Sequence, residues 1–575
     1  MRRIAAASAV LALACLAVSA PAASAGTEID PADTVFTGGT VYTAAKGGLA
    51  RAVAVDDGKI VYVGDEKGAA AYVGEGTKLV RLDGRMVMPG ILDGHIHLEP
   101  ELFDCSLEYA ELTAAQLLER LQKCLDADKG GDDDWLTVFH WDLQGMKPAG
   151  FTPTRRLLDK LKTKRPIYLF STDGHNAWVN SRALKLAGIT AKTKNPPNGV
   201  IVKDAKGRPT GYLKEEAGRL ITKVIPKPAA SRVRAGIKAM LSAAVKAGIT
   251  GANSVILEPY QLPVWKELAD AGEVPIKLDA TVRIDAREFA KDPEAGVAKL
   301  AAQAEQFDGP NFRIGGVKIF LDGVIEYPAQ TALLRKPYVG SKNRGTRFVS
   351  DRDLRKTVTA LDAAGWQVHL HALGDGAVHQ ALNAVAYARR VNGPGKPHSL
   401  AHLQLVDPVD LKRFRPLGVI ADLQLQWAQR DPYTVDAVRA HLGESRWKRQ
   451  YPARSLWRAG ALVAGGSDFP VDPLNPFRQI EAAITRTIDD PKAYPRYAKP
   501  LGPDQALTLE QSLRMHTLNT AIQLRMRGQT GSLEVGKQAD LLLLDRDLFA
   551  VPATAISDAR PLAVLVDGKT VAGGL

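Results

Sequence analysis

The sequence predicts an α/β protein: a (β/α)8 TIM barrel with a large insertion after strand 1, plus a small β-sandwich formed from both termini. Three observations carry that expectation. Short apolar runs alternate with helical stretches through the middle of the chain, the pattern of repeated βα units. Both ends instead carry short strand-like segments separated by turn residues. Polar residues of metal-ligating type fall at the C-terminal ends of the middle runs, where barrel enzymes keep their chemistry.

The first residues of the 575-residue chain stand apart from that fold. Arg2 and Arg3 precede the apolar run from Ile4 to Val18, and Ala23-Ser24-Ala25 follows. That is the order of a secretory signal peptide over residues 1–25, cleaved after Ala25. The run falls short of the ~20 residues of a membrane span. The expectation is a secreted or periplasmic protein with no membrane association after cleavage. Cleavage removes Cys15 and leaves Cys105 and Cys124, which either pair in an oxidising compartment or stay as thiols. The formal charge of +12 falls to +10 without Arg2 and Arg3. The basic residues are dispersed and not interleaved with aromatics. No nucleic acid partner is indicated, and the charge reads as solvated surface.

Residues 26–86 contain the strand-like runs 34–37, 40–43, 52–55 and 59–64, with Asp56-Asp57-Gly58 as a turn. Residues 526–575 have the same character at 541–544 and 562–566. One composite β-sandwich domain is expected from the two ends. Residues 87–525 are expected to form the barrel, with strands at 87–97, 249–254, 276–282, 316–320, 367–371, 399–403, 419–424 and 461–468. Residues 99–247 then form an inserted subdomain. Its own strand-like runs at 136–140 and 166–170 stay outside the barrel, because admitting either would force nine strands. An insertion after a barrel strand lies over the mouth and shapes the pocket.

In a strand, residues two apart share a face, so His95 and His97 project together from the first strand. Two neutral imidazoles on one face are a start to a metal site. Strand four carries Lys318, strand five His371, strand six His402 and strand eight Asp468. A lone histidine at a strand end is more often structural than a ligand. Arriving together at one end of eight strands, these residues do not read as chance.

The chain resembles the amidohydrolase superfamily, and within it the YtcJ-like branch (amidohydrolase family 3), whose members resemble N-substituted formamide deformylases. The matching residues are Pro89-Gly90-Ile91-Leu92-Asp93-Gly94-His95-Ile96-His97, Asp173-Gly174-His175-Asn176-Ala177-Trp178-Val179-Asn180-Ser181 and Pro209-Thr210-Gly211-Tyr212-Leu213-Lys214-Glu215. Further matches are Lys318-Ile319-Phe320-Leu321-Asp322-Gly323, His371-Ala372-Leu373-Gly374-Asp375, Gly466-Ser467-Asp468-Phe469-Pro470-Val471 and Gly536-Lys537-Gln538-Ala539-Asp540. The resemblance covers residues 35–569.

It implies a divalent metal centre, usually Zn2+ with one or two ions, at the barrel mouth. His95 and His97 would hold one ion, while His371 and His402 would hold a second or complete the first. Lys318 falls where two-metal members place a carboxylated lysine that bridges the ions. An ammonium has no lone pair to give, whereas capture of CO2 yields a carbamate with two oxygens. The alternative for Lys318 is an ordinary salt bridge. Glu215 is a rival or additional carboxylate ligand, or else a solvated helix start. Asp468 would be the general base, taking a proton as hydroxide attacks a carbonyl and returning it to the leaving nitrogen.

His175, Trp178 and Asn180 match the motif in the insertion and are expected near the substrate, with a packed corner of the subdomain as the alternative. Asp322 is a candidate for contact with substrate or with a ligating histidine. Gln424 and Trp427 are candidates for lining the pocket. His140, His369, His379, His398, His441 and His516 read as structural; His369 is the exception to watch, since it faces the same way as His371. Ala401, Leu425 and Val324 stand where the branch commonly has glutamate, proline and serine, which leaves the pocket's shape open.

The expected activity is hydrolysis of a non-peptide C–N bond in a small molecule, such as an N-formyl, N-acyl or cyclic amide. A deaminase or a cyclic-ester hydrolase on the same scaffold is the alternative. A non-catalytic binding protein would have lost a ligand or Asp468, and all are present. A homodimer is a further candidate state.

Overall fold

The computed structural model describes residues 29–98 and 102–575, so the expected signal segment lies outside the described residues. Eight strands follow one another in chain order in one sheet: β1 (Ile91–Ile96), β2 (Ile249–Ser254), β3 (Lys277–Arg283), β4 (Phe312–Phe320), β5 (Gln367–Ala372), β6 (His398–His402), β7 (Val419–Leu423) and β8 (Leu462–Gly465). All seven neighbouring pairs are parallel. Just past β8 the chain runs beside β1. There the Asp468 N–H donates to the His95 carbonyl at 2.7 Å, and the His97 N–H donates to the Phe469 carbonyl at 2.9 Å. The sheet is thereby nearly closed, as in a TIM barrel. Gly466 makes the seam feasible, because a Cβ there would lie 2.5 Å from the His95 nitrogen.

Every residue of β1, β2, β5, β6 and β7 is buried. Parallel strands covered on both sides read as unbroken apolar runs, which is why the runs were visible in sequence. The intervening helices follow local rules. In the helix Asp351–Ala363, the Ser350 hydroxyl accepts from the Asp353 N–H, and Asp351 and Asp353 sit in the first turn, where the helix dipole favours anions. Leu354, Val358 and Leu361 recur at helical spacing and are buried against the barrel. Gly365 follows with φ +75°, a conformation that ends a helix at little cost.

The stretch expected as one strand over 87–97 is two. Met86–Pro89 pairs antiparallel with Leu541–Leu544, whereas β1 joins the barrel. Gly90 lies between them, where a Cβ would fall 2.1 Å from Thr250 Oγ1. The chain therefore changes sheets through a position only glycine can fill.

The two ends of the chain interleave. One six-stranded sheet orders Lys569–Gly573, Pro561–Val566, Leu541–Leu544, Met86–Pro89, Thr40–Tyr42 and Leu49–Ala50. A four-stranded sheet orders Lys59–Gly64, Ala52–Asp56, Thr34–Thr37 and Lys78–Arg81. Phe36, Val53 and Ile60 share one apolar cluster with Leu541, Leu543 and Leu565. A buried ion pair fastens these sheets to the barrel. Lys277 Nζ, at the start of β3, donates to both oxygens of Asp540 at 2.7 and 2.8 Å and to Asp567 at 2.9 Å. The motif ending in Asp540 is thus a fastening, far along the chain from the ligating residues.

The segment between β1 and β2 builds a separate sheet in the order Gly199–Lys203, Pro209–Glu215, Asn176–Val179, Ile167–Ser171, Leu136–Trp141 and Cys105–Ser106. The runs left outside the barrel are neighbours here. The helix Ala114–Ala127 starts on a reciprocal Thr113–Gln116 cap and buries Leu117, Leu121 and Leu125. Those side chains share a core with Leu136, Val138 and Trp178. Cys105 and Cys124 form a disulfide with Cα atoms 6.0 Å apart. Among the described residues no helix is long and apolar enough to cross a membrane.

Candidate metal centre

The C-terminal ends of the barrel strands bring the expected ligands together. Asp468 Oδ1 lies 3.3 Å from His95 Nε2 and 3.0 Å from His97 Nε2, while its Oδ2 is 3.8 Å from His402 Nδ1. Lys318 Nζ is 3.1 Å from His95 Nε2. The His371 ring stands 4.6 Å from that of His402. His95, His402 and Asp468 each offer a donor atom within 4.8 Å of the others. All of these side chains except the half-buried His97 are buried.

Their charge state suits a cation. Burial, then the charges of neighbours such as Lys318, holds His95, His371 and His402 well below the usual histidine range, so each keeps a lone pair. Burial would push Asp468 up, but the hydrogen bond from His97 and the charges of His402, His97 and Lys318 outweigh it and leave the carboxylate ionised. Burial likewise drives Lys318 down to about 7. His402 Nδ1 is buried without a hydrogen-bond partner. A buried imidazole nitrogen left open beside a carboxylate and two further imidazoles fits a divalent metal.

The backbone is strained where these groups sit. Asp468 has φ +54°, His402 +78°, Leu403 +50° and Glu215 +53°. Non-glycine residues rarely hold the left-handed region, and such positions gather at functional sites.

Three residues that the sequence reading did not place in the site support it. His369 Nε2 is 2.8 Å from His95 Nδ1, and its Nδ1 meets Ser399 Oγ at 2.6 Å. Asp422 forms a second three-donor group with His95 and His369, and accepts from Gln523 Nε2 at 2.7 Å. Asp93 accepts from the backbone N–H of His95 and of Ser467, each at 3.0 Å, tying β1 to the end of β8. A period of two was the available signal for Asp93 and His369, each two residues before a histidine expected as a ligand.

The remaining expected residues divide. Trp427 stacks on His402, with centroids 5.5 Å apart, and its Nε1 donates to Asp472 at 2.6 Å, which places it beside the cluster. Gln424 instead turns its amide to Asp422 at 3.1 Å and holds that carboxylate. Asp322 accepts from the backbone N–H of Leu333, Leu373 and Gly374 and stays 4.0 Å from His371 Nε2. Its oxygens are spent on loop backbone, not on substrate. Glu215 bonds Thr331 and meets His175 Nδ1 at 2.7 Å. Burial opposes a charge on His175, but Glu215 outweighs it and raises the ring to about 9, giving an ion pair. The His175 ring lies 5.2 Å from that of His371, so the Glu215–His175 pair borders the cluster.

Trp178 and Asn180 require correction. The Trp178 ring packs on Trp141 and Phe151 in the insertion's core. Asn180 caps the helix Ser181–Leu186, accepting from the Ala183 N–H at 2.9 Å, and also accepts from Ile167 N–H. Both belong to the motif because they fold it. Asn180→Ala is expected to cost about 1 kcal/mol of stability, the usual loss of a cap, and to leave kcat/KM unchanged. A raised KM with unaltered stability would return Asn180 to the substrate.

A family profile described as "Amidohydrolase family" matches residues 78–572. The chain belongs to this amidohydrolase family. YtcJ of Bacillus subtilis (strain 168), an amidohydrolase by its name, is 29% identical over 554 residues, which are 94% of this chain and 98% of that protein. The N-substituted formamide deformylase of Arthrobacter pascens is 26% identical over 539 residues, covering 91% of this chain and 95% of the deformylase. Among solved structures, an uncharacterized metal-dependent hydrolase from Pyrococcus horikoshii OT3 matches with a TM-score of 0.69 at 26% identity, covering 90% of this chain and 99% of that one. These relatives of the amidohydrolase family and the His/Asp cluster together support a metal-dependent hydrolase acting on a small molecule.

Proposed function

We propose that the protein is an exported amidohydrolase that cleaves a non-peptide C–N bond in an N-formyl, N-acyl or cyclic amide. The observation that carries this reading is the ionised Asp468 carboxylate held against three imidazoles at the barrel mouth. His95, His97, His402 and Asp468 would hold the ion, with His371 beside them. A zinc ion there would supply a water of lowered pKa and an electrophile for the carbonyl oxygen. Asp468 takes the proton of the attacking water and passes it to the leaving nitrogen. Trp427 lies over His402 and keeps bulk water from that side. A cleft of about 410 Å³, with Leu257, Phe289 and Phe348 in its walls, runs up to Phe320, whose ring lies 4.7 Å from that of His371. Arg219, Arg283, Glu216 and Glu258 also line it, so it offers room for a substituent with both apolar and polar groups.

Lys318 as an ammonium places a positive charge 3.1 Å from His95 Nε2. Its carboxylation would replace that charge with two anionic oxygens, which supports a bridged pair of ions. Export is supported by the Cys105–Cys124 disulfide, since such bonds persist in oxidising compartments. The domain plan that accompanies this reading is a composite β unit of residues 26–86 and 526–575 around a barrel of 87–525 that carries the insertion 99–247.

Purified protein is expected to hold about one to two divalent ions per chain. It should hydrolyse members of a panel of N-formyl, N-acyl and lactam compounds. A chelator should stop turnover and zinc restore it. Well-folded protein without metal, or turnover indifferent to chelation, would refute the reading.

A further inference from the structure

We propose that Ser106, His140 and Tyr109 of the insertion form a hydrogen-bond relay that positions the loop carrying Asp468, and that the Cys105–Cys124 disulfide holds this relay in place. The inference rests on the reading of Asp468 as the base.

The protons define a direction. The Tyr109 hydroxyl donates to the Pro470 carbonyl at 2.6 Å, two residues past Asp468. With that proton committed, the 2.8 Å contact between Tyr109 and His140 Nε2 requires the ring nitrogen to donate. His140 Nδ1 then accepts from the Ser106 hydroxyl at 2.8 Å. Ser106 Oγ in turn accepts from the Glu108 N–H at 3.1 Å. These roles put a proton on His140 Nε2, which also faces the Pro470 carbonyl, and in the neutral ring Nδ1 is left as the acceptor. Burial holds its pKa down to about 4, in line with that state.

The backbone is bent to make the relay. Glu108, Tyr109 and His140 hold φ of +55°, +59° and +56°. His140 sits where the register of Leu136–Trp141 against Ile167–Ser171 shifts, between Val138 and Trp141. Such irregularities re-aim a side chain next to active sites. The other end of the loop is also engaged, because Asp472 holds the indole N–H of Trp427, which stacks on His402. The loop that carries Asp468 is thus held at Pro470 by the relay and at Asp472 by Trp427. Cys105 immediately precedes Ser106 in the same short strand, and the disulfide ties that strand to the helix Ala114–Ala127.

The test pairs kinetics with amide hydrogen exchange of the holoenzyme. Tyr109→Phe keeps the ring and deletes the donor to Pro470. It should lower kcat by about tenfold with KM unchanged, since small misplacements of a reacting group cost that much or more. Exchange over residues 466–474 should quicken, while the helix Ala114–Ala127 stays as protected as before. Ser106→Ala should give the same signature in weaker form. Cys105→Ser with Cys124→Ser, or mild reduction of the native enzyme, should also quicken exchange at 466–474. Unchanged exchange there in Tyr109→Phe would overturn the relay. A relay signature without any response to loss of the disulfide would overturn the disulfide's part. Quickened exchange in an enzyme that cleaves no amide would uphold the relay while refuting the proposed reaction.

Discussion

Asp468→Asn is expected to lower kcat by about 10²–10⁴-fold at saturating zinc, with the chain still folded. The change is isosteric, so the seam between β1 and the end of β8 keeps its backbone bonds, including the Asp468 N–H to His95. What disappears is the anion. Asp468 stays ionised because His97 donates to it and because His402 and Lys318 stand close. An amide in its place cannot accept a proton from water. It also presents N–H donors to ring nitrogens that face the carboxylate, so the ion should bind more weakly. Zinc must therefore be titrated to saturation and counted before kcat is compared. Retained turnover at full zinc occupancy would place the base elsewhere.

Asp540→Ala is expected to destabilise the fold by about 3–5 kcal/mol, the usual consequence of removing one partner from a buried pair. Asp540 is fully enclosed, and Lys277 is nearly so. The variant would leave Lys277 Nζ with only Asp567, whose side chain is 39% exposed. The Asp567 N–H would also lose its acceptor. Denaturant midpoints measure the loss. Replacing the charges together, as Lys277→Met with Asp540→Leu, should recover much of it, because no charge is then stranded. The folded fraction should retain its kcat, since the pair lies at the opposite end of the strands from the ligands. A single variant as stable as the parent would mean that water already reaches Lys277.

The strands and the ligands were legible in sequence for the same reason. A parallel strand buried on both faces leaves an unbroken apolar run, and a polar residue at its end is conspicuous against that background. His95, His97, Lys318, His371, His402 and Asp468 all have this form, and the structure gathers them. Asp422 and His369 sit two residues inside their expected runs, as Lys318 does, but no matching motif includes them, and a buried polar residue within a run looks structural until its partners are known. The insertion was the least legible. Its motif residues serve two purposes, and spacing does not separate them: His175 approaches His371, while Trp178 and Asn180 hold the subdomain together. The Cys105–Cys124 pairing and the His140 relay depend on contacts between distant segments, which one chain's local pattern does not encode.

The seam of the barrel sets an order of events for the newly made chain. His95 lies on the first strand, His97 just past its end, and Asp468 just beyond the last strand, 371 residues after His97 by their numbering. A ribosome that has released the first seven strands has delivered the imidazoles but not the carboxylate that faces them. The full set of candidate ligands therefore exists only once the final strand has docked beside the first.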